Sequence, residues 1–277
     1  MSGVTNYLTN LFSASFGTAD PLLNTLYGSG SHGTQNPVVA LRSAERNETQ
    51  QIKVTGTQPD VKLAITQFTK AVNSAKTVHQ LLANPAVMKV LLTAGGMQDR
   101  IGYTALATKA LTSDLKDPKS LANVLPDTRW KTMAKTFDFA AKGLASIQTP
   151  AIIAAITADY TKATWQAGQD AVAPGLSKAL DFKARAASMT SVDKILGDPT
   201  IRSVVTTALG IPQQIAFQEL RAQERAIAVR LDVKKLQDPK FVETFAQRYL
   251  IANSGSSSAT STPDITTLAM QGRGLLA

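Results

Sequence analysis

The sequence predicts an all-α protein: a compact helical body made of two diverged copies of one helical unit, flanked by flexible N- and C-terminal segments with amphipathic ends. Three observations carry this. Ala, Leu, Lys and Gln, all good helix formers, are plentiful, and alternating β-branched runs are scarce. Residues 77–97 recur in pattern at 191–211, at one fixed offset and without a gap. Prolines and glycines stand where helices start and stop.

The repeat is legible position by position. Val78 meets Val192, Leu81 meets Ile195, Leu82 meets Leu196, Pro85 meets Pro199 and Val87 meets Ile201. Val90 and Leu91 meet Val204 and Val205, Gly96 meets Gly210 and Met97 meets Ile211. In each copy Asn84 or Asp198 is placed to cap a helix, because its side-chain oxygen accepts backbone N–H groups that have no intrahelical partner. The proline that follows occupies the first helical position, where its missing N–H costs nothing. Apolar residues at i, i+3 and i+4 give one buried face, and Gly96 or Gly210 ends the helix in the left-handed conformation.

A longer helix is expected next, over residues 98–113 in the first copy and 212–231 in the second. The latter sets Phe217, Leu220, Ile227 and Leu231 as an apolar stripe among Glu219, Arg221, Glu224, Arg225 and Arg230. A second proline-marked start follows in each copy, at Asp117-Pro118-Lys119 and Asp238-Pro239-Lys240. The first copy then places Trp130, Ala134 and Phe137 on one helical face, and the second places Phe241, Phe245 and Tyr249. The expected organisation is a flexible polar segment at 1–59 holding a short amphipathic helix (4–12), a first unit at 60–146, connecting helices broken at Pro174 over 147–187, a second unit at 188–252, and a Ser/Thr-rich flexible tail at 253–277. The stretch from Gly143 to Ala158 is uncharged and reads as a buried core helix, too short to cross a ~30 Å hydrocarbon layer comfortably.

Bulk properties narrow the chemistry. The chain has 277 residues, 44% of them apolar, and no cysteine, which excludes disulfides, thiolate metal sites and cysteine nucleophiles. Its first Lys or Arg is Arg42, so the basic region that opens a secretory signal peptide is not expected. The net charge is +9, and most of the excess falls in residues 60–146, with twelve basic against six acidic side chains. That charge allows nucleic-acid binding, with Lys131, Lys135 and Lys142 as candidate phosphate contacts and Arg129 and Trp130 as a stacking pair. No basic tail and no recognition helix rich in Arg, Asn and Gln accompany it, and an aromatic at helical spacing is more often core.

The remaining candidates each have a plainer reading. Gly28, Gly30 and Gly33 fit G-x-G-x-x-G, with Glu48 twenty residues past Gly28, but a dinucleotide site needs a strand before and a helix after. Neither is visible, so the segment reads as a linker. His32 and His79 are the only histidines and have no ligand-spaced companion. Asp159, Asp170 and Asp181 recur every eleven residues as a potential carboxylate row, read as a solvated helix face. Asp117, Asp127, Asp198 and Asp238 read as helix caps. No catalytic residue, cofactor or metal ligand is assigned. The one candidate docking element is the stripe of Val4, Tyr7, Leu8, Leu11 and Phe12, which suits the chain's own body or a partner protein. A weaker stripe runs over Ile265–Met270.

The chain resembles an uncharacterised alphaproteobacterial domain family whose members occur among flagellar genes. The residues that carry the resemblance are Ile195-Leu196-Gly197-Asp198-Pro199, Ala208-Leu209-Gly210-Ile211-Pro212, Asp117-Pro118-Lys119-Ser120-Leu121-Ala122-Asn123, Asp127-Thr128-Arg129-Trp130, Phe137-Asp138-Phe139 and Asp238-Pro239-Lys240-Phe241. They span about residues 74–252. The resemblance implies a non-enzymatic role in assembling, regulating or forming part of the flagellum, with flagellar or export-apparatus proteins as partners, possible self-association through the terminal helices, and a location in the cytoplasm or in the flagellum after export. The alternative is the basic nucleic-acid-binding module.

Overall fold

The computed structural model describes residues 36–258, and among these every regular element is a helix. The order begins with α1 (Pro37–Thr57), α2 (Pro59–Ser74), α3 (Val78–Leu82), α4 (Pro85–Ala94) and α5 (Thr104–Leu111). It continues with α6 (Leu121–Val124), α7 (Arg129–Phe137), α8 (Phe139–Lys142), α9 (Pro150–Gly168) and α10 (Leu176–Arg185). It closes with α11 (Val192–Leu196), α12 (Pro199–Ala208), α13 (Leu220–Ala228) and α14 (Pro239–Ser258). Short 3₁₀ turns join several of them.

The repeated segments have matching local structure. α3 and α11 are capped by Thr77 and Ser191, whose hydroxyls accept from the N–H of Gln80 and Lys194. Asn84 and Asp198 cap α4 and α12, each with proline at the first position. At the far ends Gly96 and Gly210 have φ of +68° and +64°. There the N–H of Met97 donates to Leu92 O (2.7 Å) and that of Ile211 to Thr206 O (2.9 Å). The N–H groups of Gly96 and Gly210 donate to Thr93 O and Thr207 O. These are two Schellman ends, sealed in the first by the buried Met97 and Leu92 side chains.

Beyond residues 97 and 211 the halves diverge, and the long helices expected there are broken. Residues 98–113 give a 3₁₀ turn at Gln98–Arg100, a turn through Gly102, and α5. Residues 212–231 give a 3₁₀ turn at Gln213–Phe217, extended backbone at Gln218 and Glu219, and α13. The break splits the expected stripe: Ile227 and Leu231 are buried, whereas Phe217 is 91% and Leu220 59% exposed. Asp117 caps a turn, with Lys119 N–H on its Oδ1 at 2.9 Å, while Asp238 caps the long α14.

Two apolar clusters form the core. The first joins α2 through Val61, Phe68 and Val72, α4 on nearly all sides, Trp130, Met133 and Phe137 of α7, and Ile156 and Tyr160 of α9. The second joins Leu41 of α1, Trp165 of α9, Phe182 of α10, α12, and Phe245 and Tyr249 of α14. α9 thus serves both clusters along its length. It is amphipathic, not the buried helix expected from its hydropathy: Ala151, Ala154 and Ala155 face solvent, Ile152 and Ile153 are half-buried and Ile156 is buried. Exposed alanines raise hydropathy without marking burial, and residues 143–146 form a separate 3₁₀ turn. No helix among the described residues is long and apolar enough to cross a membrane.

α1 is the main departure from expectation, because residues 28–59 read as flexible. Its buried stripe is small, built from Ala40, Leu41 and Ala44, and further along Gln51 Oε1 accepts from the Trp165 indole (2.7 Å). Glu45 pairs with Lys183, and Glu48 with Lys162 at 2.7 Å. Such a helix is held by tertiary partners more than by its own pattern. At the other end α14 runs to Ser258, into the segment read as the start of the Ser-rich tail. The stripes at 4–12 and 265–270, and Gly28 to Gly33 with His32, lie outside the described residues.

Candidate functional site

Two depressions sit on residues with functional potential. One is a cleft of about 390 Å³ between the two repeated segments, bordered by Gly96 and Asp99 on one side and Asp170, Ser177, Asp181 and Thr200 on the other. Its defining side chain is Arg129, 5% exposed at the start of α7. Arg129 Nε donates to Asp127 Oδ1 (3.0 Å) and Nη2 to Asp127 Oδ2 (2.8 Å). Nη1 donates to Gly96 O (2.8 Å) and to Asp99 Oδ1 (3.2 Å), and Nη2 also reaches Asp99 Oδ2 (3.1 Å). All five guanidinium N–H groups are therefore used. Burial works to depress the Arg129 pKa, but the bonds and charges of Asp127 and Asp99 outweigh it, and the net shift is upward.

Arg100 lies against the same carboxylates, 3.0 Å from Asp99 and 3.6 Å from Asp127, which makes a two-arginine, two-aspartate cluster of zero net charge. Across the cleft Arg185 pairs with Asp181 and with the nearly buried Asp198. Asp198 Oδ1 also accepts from Thr200 N–H (3.0 Å) and Ile201 N–H (3.1 Å), so one carboxylate both caps α12 and neutralises an arginine. Burial opposes the charge of Arg185, and the two aspartates reverse that and raise its pKa. Beside the cleft the halves are tied directly: Thr128 N–H and Oγ1–H both donate to Gly197 O, at 2.9 and 3.1 Å.

The residues singled out from sequence divide clearly. Asp127, Asp198 and Asp238 cap helices, and the first two also hold arginines, a second role that their spacing did not signal. Asp170 and Asp181 reach the same cleft, but Asp170 accepts from Ser177 N–H (2.9 Å) and Asp181 is bound to Arg185. Asp159 is not among the cleft residues; partial burial raises its pKa against the pull of Lys162. Among the described residues no three His, Asp or Glu side chains stand together as metal ligands. His79 is exposed. Trp130 is 1% exposed and belongs to the core, so it has no face to offer a base. Lys131 and Lys135 are exposed, and Lys142 pairs with Asp138 at 3.4 Å. A helix does follow the glycine-rich segment, beginning at Pro37, but no strand occurs among the described residues.

The second depression was not legible from sequence. It is a groove of about 350 Å³ beside α12, walled by Leu196, Ile211, Ile215, Phe217 and Ile227, with Arg202 as the only charged side chain lining it. Phe217 stands out from its lip, and Leu220 and Val229 are exposed on the following helix and its end.

Comparison with known proteins places this architecture in a family. Residues 94–242 match the model of a family described as "Protein of unknown function (DUF1217)". No curated protein matches the chain. The fold is similar to the crystal structure of protein AGR_C_984 from Agrobacterium tumefaciens, a structural genomics target, with a TM-score of 0.67 and 24% identity. That likeness covers 81% of this chain and 96% of the other, and at this identity it shows the fold alone.

Proposed function

We propose that this chain, which belongs to the DUF1217 family of proteins of unknown function, is a non-enzymatic structural or assembly protein of the bacterial flagellar system that works through protein–protein contacts. The observation that carries the contact role is a groove walled by Leu196, Ile211, Ile215 and Ile227 with a large exposed aromatic side chain, Phe217, at its lip. Phe217, 91% exposed, has almost no intramolecular cover. Apolar residues gathered around a depression mark an interaction surface, where scattered ones would not. The charges of the inter-half cleft support the same reading. Arg129 and Arg185 are committed to carboxylates, which suits a structural role for these guanidiniums better than binding and turning over a substrate.

The flagellar assignment rests on the motif residues given above, from Asp117 to Phe241. Deletion of the gene is expected to impair swimming without a metabolic defect, and wild-type motility with normal flagella refutes it. Immunodetection in sheared filaments and in culture fluid distinguishes export by the flagellar route from retention in the cytoplasm. The nucleic-acid alternative has less support, because Trp130 is buried and Lys142 is paired. Flow-through on heparin at low salt removes that alternative.

A further inference from the structure

We infer that the groove beside α12 is a docking site for a short, acidic, aliphatic-rich segment of a partner protein, gripped by Phe217 and Arg202. This rests on the reading of the protein as one that works through protein contacts, and adds to it the place and the chemistry of the partner. The shape comes from the chain. The Schellman end at Gly210 turns the backbone away from α12, and the 3₁₀ turn that follows ends in extended backbone at Gln218, which sets Phe217 outward over the opening. Ile211, Ile215 and Ile227 line the hollow beneath, which suits the insertion of aliphatic side chains.

Charge decides which segment fits. Every other lysine or arginine that is at least half-buried among the described residues is matched: Arg100 and Arg129 hold Asp99 and Asp127, Lys162 holds Glu48, Arg185 holds Asp181 and Asp198, and Lys183 holds Glu45 and Glu243. Arg202 is half-buried in the groove and donates to Leu196 O at 3.4 Å, and no carboxylate among the described residues pairs with it. A lone guanidinium beside an apolar hollow selects a carboxylate next to aliphatic side chains, and rejects a basic segment by like-charge repulsion. One lining cation is too few to hold a phosphate backbone or an anionic lipid surface.

The test is selection of random dodecapeptides displayed on phage against the full chain, followed by fluorescence anisotropy with the winning synthetic peptide. Selected sequences are expected to combine Leu, Ile or Phe with Asp or Glu. Affinity is expected to fall at least about tenfold in Phe217→Ala and in Arg202→Glu, while Arg202→Lys keeps most of it, with thermal melts showing that each variant is folded. No enrichment, enrichment without acidic residues, or binding indifferent to Arg202→Glu overturns the proposal. So does a dimer by light scattering that Phe217→Ala dissociates, which gives the face to a second copy. Displacement of the peptide by a synthetic copy of residues 259–277 also overturns it, by giving the groove to the chain's own end. A Phe217→Ala, Arg202→Glu strain that swims normally when the deletion strain does not refutes the groove and leaves the broader reading standing.

Discussion

Replacing Gly197 with alanine tests whether the two repeated segments are locked by one close contact. Gly197 caps α11 at φ −75°, ψ −9°, a right-handed conformation that alanine adopts freely. Its counterpart in the first segment is Ala83, at φ −74°, ψ −14°. Backbone geometry therefore does not require glycine, and at such a site alanine alone would stabilise by about 0.4–1 kcal/mol. Thr128 is what requires it. A Cβ at position 197 would lie 2.5 Å from Thr128 Cγ2 and 3.2 Å from Thr128 Oγ1 and from Asp193 O. The threonine cannot simply turn away, because its hydroxyl and its N–H both hold Gly197 O. Overpacking of this kind costs roughly 1–3 kcal/mol. The net expectation for Gly197→Ala is a loss of about 1–2 kcal/mol, or a Tm lower by roughly 2–8 °C for a body of this size. Thr128→Ser removes the clashing methyl and keeps the hydroxyl. In a double-mutant cycle followed by urea denaturation, alanine at 197 is expected to cost about 1 kcal/mol less in the Thr128→Ser background than in the native one. Equal costs in both backgrounds, or a Gly197→Ala protein as stable as the native chain, refute the reasoning.

Three further outcomes follow from the ion pairs and the buried tyrosine. Arg129→Met removes the guanidinium that bonds Asp127, Asp99 and Gly96 O and leaves the 11%-exposed Asp127 only the 3.6 Å pair with Arg100, so it is expected to cost about 2 kcal/mol in urea denaturation. Burial, reinforced by the charge of Asp170, pushes Tyr249 from its ordinary value of 10.0 up to about 12. A raised folded pKa gives stability that is complete below pH 10 and lost as pH climbs through about 12. Tyr249→Phe should therefore flatten the decline between those values, by up to about 2 kcal/mol, and remove a phenolate absorbance rise near pH 12. Glu243 is lowered from its ordinary 4.5 and Lys183 raised from its ordinary 10.5: burial opposes both charges, and their mutual bond, with help from Glu45 and Gln247, outweighs it. The carboxylate's contribution is lost as pH falls through its depressed folded pKa, and the ammonium's as pH rises through its elevated one. Lys183→Met should therefore flatten both arms of the stability profile, measured as Tm against pH.

The parts of the fold that were legible in the sequence are those fixed within a few residues. Asn84 and Asp198 cap helices because each side-chain oxygen needs only an N–H two or three positions on, and the Thr77 and Ser191 caps, which were not among the expected ones, work the same way. Gly96 and Gly210 end them because the left-handed conformation is a property of one residue. The inward faces of Trp130, Phe137, Phe245 and Tyr249 followed from helical period alone. α1 was missed because its buried stripe is mostly alanine, which signals weakly, and its other anchors are contacts to Trp165 and Lys183. Phe217 and Leu220 were expected inward because periodicity assumes an unbroken helix, and the extended backbone at Gln218 and Glu219 removed that premise.

By itself the amino-acid sequence determined the helical class, the starts and ends of the recurring segments and the lack of thiol chemistry, since each depends on residue type and near neighbours. Only the tertiary structure decided what the polar groups do. Arg129 meets Asp99 from thirty residues away, Arg185 meets Asp198 from thirteen, and Thr128 meets Gly197 from sixty-nine. It also decided which apolar side chains stay uncovered. Pairing and exposure are properties of which surfaces the packed helices bring face to face, and no local pattern encodes that apposition.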